Sequence, residues 1–236
     1  MSDTKKTLKA QAYAEIRRDI MTLSLAPGTD LDENSLARSY ALSRTPLREI
    51  LMRLAGEGYV AFRENRGFRV SALSHDTLRG FFLAAPMIYG AILQLAASHA
   101  SRAQIHELKS AQQAFTTALR SGSPADRTLA NTRFHEVTGA MSANPYLQPS
   151  FQRLLIDYAR IGMTFYRPTD HVMAENLAEA RRQHDAIIAA IEARDAAEAS
   201  ALAIAHWNLS RHQIERFVLP QGLDLPLGQA AQQRAS

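Results

Sequence analysis

Apolar residues recur every three or four positions through most of this 236-residue chain, the period of helices that bury one face. In residues 8–23, Leu8, Ala12, Ile16, Ile20 and Leu23 fall at that spacing, and the segment stops before Ala26-Pro27-Gly28, a turn signal. Asp32 is placed to cap a short second helix at about 33–40, with Leu36 and Ala37 facing inward. Ala41-Leu42-Ser43 then makes a tight turn, and Ser43 or Thr45 opens a third helix. Pro46 lies in its first turn, and Leu47, Ile50, Leu51 and Leu54 form its buried stripe up to Gly56 and Gly58. The pattern next shortens. Tyr59 to Phe62 and Phe68 to Val70 read as two strands around the polar turn Arg63-Glu64-Asn65-Arg66-Gly67. Three helices followed by a hairpin is the order of a winged helix-turn-helix.

From His75 onward the helical period returns and no strand is predicted. Breaks at Ser121-Gly122-Ser123-Pro124, Asn144-Pro145, Arg167-Pro168 and Arg194-Asp195 give helices near 76–100, 102–121, 124–142, 145–166, 172–193 and 195–218. The expected architecture is mainly α: a winged helix-turn-helix over 1–72, an all-helical bundle over 73–219, and a flexible tail over 220–236 that is rich in Pro, Gly, Gln and Ala.

Composition narrows the chemistry. The chain holds no cysteine, which excludes disulfides, thiolate metal sites and cysteine nucleophiles and leaves histidine and oxygen ligands for any metal. No run of about 18 apolar residues is recognised, and the N-terminal residues lack the apolar stretch of a secretory signal, so a cytoplasmic protein without membrane association is expected. The formal net charge is +4. Much of it sits in residues 33–70, where seven arginines stand against four carboxylates, and a basic face of this kind suits a phosphate backbone.

A helix entering the major groove of double-stranded DNA needs long donors near its leading end, because arginine grips guanine O6 and N7 while hydroxyls and helix-start amides hold phosphates. Ser43-Arg44-Thr45-Pro46-Leu47-Arg48-Glu49 supplies them: Arg44 and Arg48 are four residues apart and share a face opposite the apolar stripe. Pairing of these arginines with Glu33 or Glu49 on the surface is the alternative. Arg66-Gly67 puts a second basic feature on the hairpin. With Leu31-Asp32-Glu33-Asn34-Ser35-Leu36-Ala37, Arg53-Leu54, Glu57-Gly58 and Gly67-Phe68-Arg69-Val70, this segment resembles the GntR family of transcription regulators. The resemblance implies that Arg44 and Arg48 contact bases, Ser43 and Thr45 the backbone, Asn34 the operator from the second helix, and Arg66 with Gly67 the minor groove.

In the helical half His135, His184 and His206 lie on the apolar sides of three different predicted helices, and Asn131 is one turn before His135. Their side chains could share one metal, or the histidines could be satisfied members of the core. The segments around Asn131 to His135, Asn144 to Leu147, Gln183 to Ile191 and Ala201 to His206 resemble the FCD ligand-binding domain of the FadR subfamily. That likeness implies a divalent metal (Zn, Ni or Mn) held by Asn131, His135, His184 and His206, beside a small-molecule, organic-acid effector. Two departures stand out. Asn131 occupies the position of a family aspartate, and the stretch Phe81 to Tyr89 lacks the arginine that many relatives carry there, which turns attention to Tyr89, Arg160 and Tyr166 as polar handles or as ordinary packing residues. The expected function is a homodimeric regulator, a repressor relieved by its effector, and not an enzyme. A metal-dependent hydrolase and a ligand-free helical interaction module are the rival readings.

Overall fold

The computed structural model describes residues 2–166 and 171–218. Among the described residues the order is α1 (Ser2–Met21), β1 (Asp30–Leu31), α2 (Glu33–Ser39), α3 (Arg44–Glu57), β2 (Val60–Arg63), β3 (Gly67–Val70), α4 (His75–His99), α5 (Arg102–Ser121), α6 (Pro124–Met141), α7 (Leu147–Phe165), α8 (His171–Glu192) and α9 (Ala196–Val218). The mainly α winged architecture read from the sequence is the one observed. The tail over 220–236 lies outside the described residues.

The head forms as its pattern requires. Ala12, Ile16 and Ile20 of α1 and Leu47, Ile50, Leu51 and Leu54 of α3 are buried together with Phe68 and Val70 of the wing. Leu23 departs from the predicted stripe. The chain has already left α1 there, Leu23 takes a positive φ of 61° and its side chain is 38% exposed. Asp32 caps α2 by accepting from the Asn34 amide at 3.0 Å. The wing gains a strand that was not expected: β1 pairs antiparallel with β3, so the sheet order is β1-β3-β2. A two-residue strand carries too little periodicity to be read from sequence.

Gly58 ends α3 at φ 91°, and a Cβ there would collide with the Arg153 side chain of α7. Gly58→Ala is therefore expected to cost about 1–3 kcal/mol. Thermal unfolding checks it, and an unchanged midpoint would count against so close an approach of α7 to the end of α3.

The bundle packs α4 against α9, α6 and α7, α5 against α6 and α8, and α8 against α9. Its core includes Phe81, Tyr89, Phe134, Phe151, Tyr158, Ile191 and Trp207. One expectation needs correction. Residues 80–98 contain no charged side chain, and α4 is by length and composition apolar enough to cross a membrane. Half of that window is buried inside the protein, so the bundle core accounts for much of its apolarity. The rest lies outside: Leu83 and Met87 of α4 and Ile204 of α9 are exposed.

Helix α7 serves both units. Leu154, Leu155, Tyr158 and Ile161 belong to the bundle core, whereas Ile156 and Ala159 belong to the core of the head. Polar contacts reinforce this junction. Arg17 of α1 reaches Glu136 of α6 at 2.9 Å and the Tyr59 hydroxyl at 2.9 Å. Arg160 of α7 donates to the Ser71 carbonyl at 2.5 Å, just beyond the wing.

Candidate DNA-reading face and histidine centre

Two groups of polar side chains stand out, one on the surface of the head and one inside the bundle. On the head, Ser43 is the extended N-cap of α3, but its hydroxyl makes no capping hydrogen bond. Ser43, Arg44, Thr45 and Arg48 are all exposed around this helix start, where the unpaired amides and helix dipole favour an anion. Arg44 donates from Nε and Nη2 to Asn34 Oδ1 at 2.8 and 2.5 Å. Asn34 thereby steadies that guanidinium and keeps its amide NH2 as a donor. Arg48 stands 3.6 Å from Glu33 and over the Phe68 ring, with its side chain 52% exposed. The surface pair considered for Arg48 thus exists with Glu33, while Glu49 pairs with Lys9. A loose pair at this exposure is weak and leaves the guanidinium accessible. Arg66 is exposed in the β2–β3 turn and Gly67 takes φ 74° at its end.

Inside the bundle, α6, α8 and α9 bring His135, His184 and His206 together, with one ligand atom from each lying within 4.8 Å of the others. All three are buried, as is Asn131. His184 Nε2 faces His206 Nε2 at 3.3 Å. On their outer sides His184 Nδ1 meets Gln112 Oε1 and His206 Nδ1 meets Gln183 Oε1, each at 2.9 Å. Phe134 stacks on His184 with ring centroids 3.7 Å apart, and Tyr89 lies edge-on to His135 at 5.4 Å.

Electrostatics keep these imidazoles neutral. Burial, followed by the neighbouring His206, holds His135 well below the usual histidine range; burial and then His206 and His135 do the same for His184. Burial lowers His206 to about 4, against a smaller opposing pull from Glu179. Neutral rings are the form that ligates a metal. Among the described residues, Asn131 Oδ1 and His135 Nε2 are buried without any hydrogen-bond partner. A partnerless polar atom is costly inside a protein, and His135 Nε2 beside the opposed His184 and His206 nitrogens, with Asn131 Oδ1 one turn earlier on α6, fits a divalent cation better than a self-satisfied core. Three imidazole nitrogens and one amide oxygen suit zinc, nickel or manganese.

The polar handles are dispersed. Tyr89 is 2% exposed beside His135, and its hydroxyl is a further buried atom with no partner among the described residues. Tyr166 packs on Phe115 at 6.1 Å, and Phe115 in turn lies 4.9 Å from His184. Arg160 is committed elsewhere, paired with Asp157 and the Ser71 carbonyl at the head–bundle junction. Gln112 and Gln183 had not been singled out, although Gln112 interrupts an apolar stripe of α5 formed by Leu108, Ala111 and Phe115. A polar residue on a buried face is the signal that marks it.

A reading head on a separate helical sensor defines a DNA-binding transcription regulator. Residues 8–70 match the model of bacterial regulatory proteins of the gntR family, and residues 87–209 match that of the FCD domain. The chain belongs to the gntR family and carries an FCD domain, the effector-binding part, as its helical half. It is similar to the HTH-type transcriptional repressor RspR of Escherichia coli, 27% identical over 78% of this chain and 79% of that one. The repressor GlaR of the same organism is 29% identical over 82% and 90% of the two chains. The solved structure of E. coli McbR/YncC shares the fold at a TM-score of 0.75 and 19% identity, covering 90% of this chain and 99% of the other. The hydrolase alternative falls with the family, which consists of transcription regulators. Of the carboxylates adjacent in sequence to the three histidines, Glu136 is turned to Arg17 and Arg133 and Asp185 to Gln112 and Arg181.

Proposed function

We propose that the chain is a cytoplasmic, homodimeric repressor whose hold on a palindromic operator is released by an organic-acid effector bound beside a divalent metal. The head over 1–72 reads the DNA. Arg44 and Arg48 contact bases, Ser43 and Thr45 the backbone, Asn34 the operator alongside Arg44, and Arg66 with Gly67 the minor groove. The sensor over 73–219 holds the metal through Asn131, His135, His184 and His206. A metal bound there would supply a Lewis-acidic anchor for an oxygen of the effector. Tyr89 offers its partnerless hydroxyl to the same ligand. Homodimerisation is supported by the exposed apolar side chains of Leu83 and Met87 on α4, 58% and 69% exposed, and of Ile204 on α9, which a second copy would cover. The relatives named as repressors support the sign of regulation.

The observation that carries the sensor reading is the convergence of His135, His184 and His206, with His135 Nε2 and, one turn earlier on α6, Asn131 Oδ1 buried without a partner. Its test is thermal unfolding of chelator-stripped protein before and after adding zinc, nickel or manganese. At roughly a hundredfold excess over Kd, binding adds about 2.7 kcal/mol, which raises the midpoint of a chain of this size by about 5–10 °C. A midpoint indifferent to all three ions, both with and without added acetate, would remove the metal from the proposal.

A further inference from the structure

The hydrogen bonds behind the histidine rings fix more than their orientation. Gln112 is buried on α5, and its Nε2 donates to the Arg181 carbonyl at 3.1 Å and to Asp185 Oδ1 at 2.7 Å. Both partners only accept, so the amide cannot be reversed, and Oε1 must face His184 Nδ1. An oxygen at 2.9 Å requires the ring proton on Nδ1, which leaves Nε2 with its lone pair. Gln183 repeats the arrangement from α8. Its Nε2 donates to Glu179 Oε1 at 3.1 Å while Oε1 accepts from His206 Nδ1 at 2.9 Å. The two Nε2 atoms 3.3 Å apart therefore oppose lone pair to lone pair, with no hydrogen between them. They repel unless a cation shares them.

Charge is the second consequence. The carboxylates of Asp185 and Glu179 stand one amide group behind the rings and are already paired with Arg181 at 3.1 Å and Arg182 at 2.6 Å. The three neutral imidazoles that meet here, and Asn131 one turn before His135 on α6, carry no negative charge. Phe134, Tyr89 and the rest of the aromatic core exclude water from it. A dication there retains its full charge in a desolvated shell, which is costly without a counter-charge.

We propose that Gln112 and Gln183 are the positioning residues of this centre, and that the charge-free donor set they create makes cation binding depend on an accompanying monoanionic oxygen ligand of the carboxylate class. This rests on reading the histidines as a cation site. The cation and the anion enter as a linked pair, so each tightens the other by the same factor.

The test uses chelator-stripped full-length protein, with nickel affinity measured by competition against a chromogenic chelator in the presence of acetate or of its neutral isostere acetamide. Acetate tightens nickel binding tenfold or more and acetamide leaves it unchanged. Gln112→Leu weakens nickel binding roughly tenfold or more, and nitrogen-15 spectra of labelled histidine show His184 losing its fixed tautomer. Asn131→Asp puts a negative charge beside the histidines without touching the Gln112 or Gln183 hydrogen bonds, so it binds nickel more tightly than the natural chain and loses the dependence on acetate. Equal effects of acetate and acetamide would overturn the inference, as would Gln112→Leu with unaltered affinity and tautomer. His206→Ala separates the two levels. If that variant binds nickel as well as the natural chain, or if the natural chain binds none with or without acetate, the cation reading itself fails and takes this inference with it. If His206→Ala abolishes binding while the acetate and Gln112 effects are missing, this inference alone fails.

Discussion

Replacing Arg44 and Arg48 together by alanine is expected to lower specific operator binding by more than tenfold while leaving the head folded. Both side chains are exposed, to one side of the face of α3 that buries Leu47, Ile50, Leu51 and Leu54 in the head. The double substitution therefore removes little packing. The helix start itself remains, with the Ser43 hydroxyl unused as a cap, so the phosphate contacts made by Ser43, Thr45 and backbone amides persist. What disappears is base reading. A bidentate arginine–guanine pair discriminates by about 1–3 kcal/mol, and two such pairs exceed the roughly 1.4 kcal/mol that a tenfold change requires. Binding to an unrelated duplex falls less, because only the backbone attraction of two cations is lost. Fluorescence anisotropy on a duplex selected from the genome by the natural protein, beside a scrambled duplex at the same salt, measures both. Equal affinity of the natural and double-variant proteins for the selected duplex would take the leading end of α3 out of the reading face.

How much of this was legible in the sequence differs between the two units for a physical reason. In the head, each signal is local. A helical stripe, Asp32 as a cap, Pro46 in a first turn and a polar turn between apolar strands all act within a few residues, and α2, α3 and the hairpin fall within one or two positions of expectation. The bundle helices were equally plain from their breaks. The assembly of His135, His184 and His206 was only permitted by the sequence, since periodicity tells which face a residue takes and not which other helix meets it. Arg160 shows the limit best. In the sequence it was an arginine on a helix of the sensor and a candidate effector ligand. In the fold it is buried at the junction with the head, bound to a carbonyl 89 positions earlier in the chain. Gln112 belongs to the same class, because its meaning comes from α8 and not from its neighbours on α5.

The junction supplies the second large effect. Arg160 is fully buried and its charge is met by Asp157, one turn earlier on α7, which also accepts from Arg153 at 3.0 Å. Its Nη1 holds the Ser71 carbonyl, while Nε is buried without a partner among the described residues. Asp157→Ala strands this guanidinium in the interior, and breaking a buried pair from one side costs about 3–5 kcal/mol. Such a loss lowers the unfolding midpoint by about 6–20 °C in a chain of this size. Removing both charges tells a different story. Asp157→Leu with Arg160→Met replaces the pair by apolar groups and forfeits one hydrogen bond to Ser71, so most of the lost stability returns. Helix α7 also contributes Ile156 and Ala159 to the core of the head, so the single variant loosens the head and the bundle together, in one transition rather than two. Calorimetric unfolding of the natural, single and double variants decides it. A single variant as stable as the natural chain, or a double variant no better than the single, would show that the Asp157–Arg160 pair does not hold the reading head to its sensor.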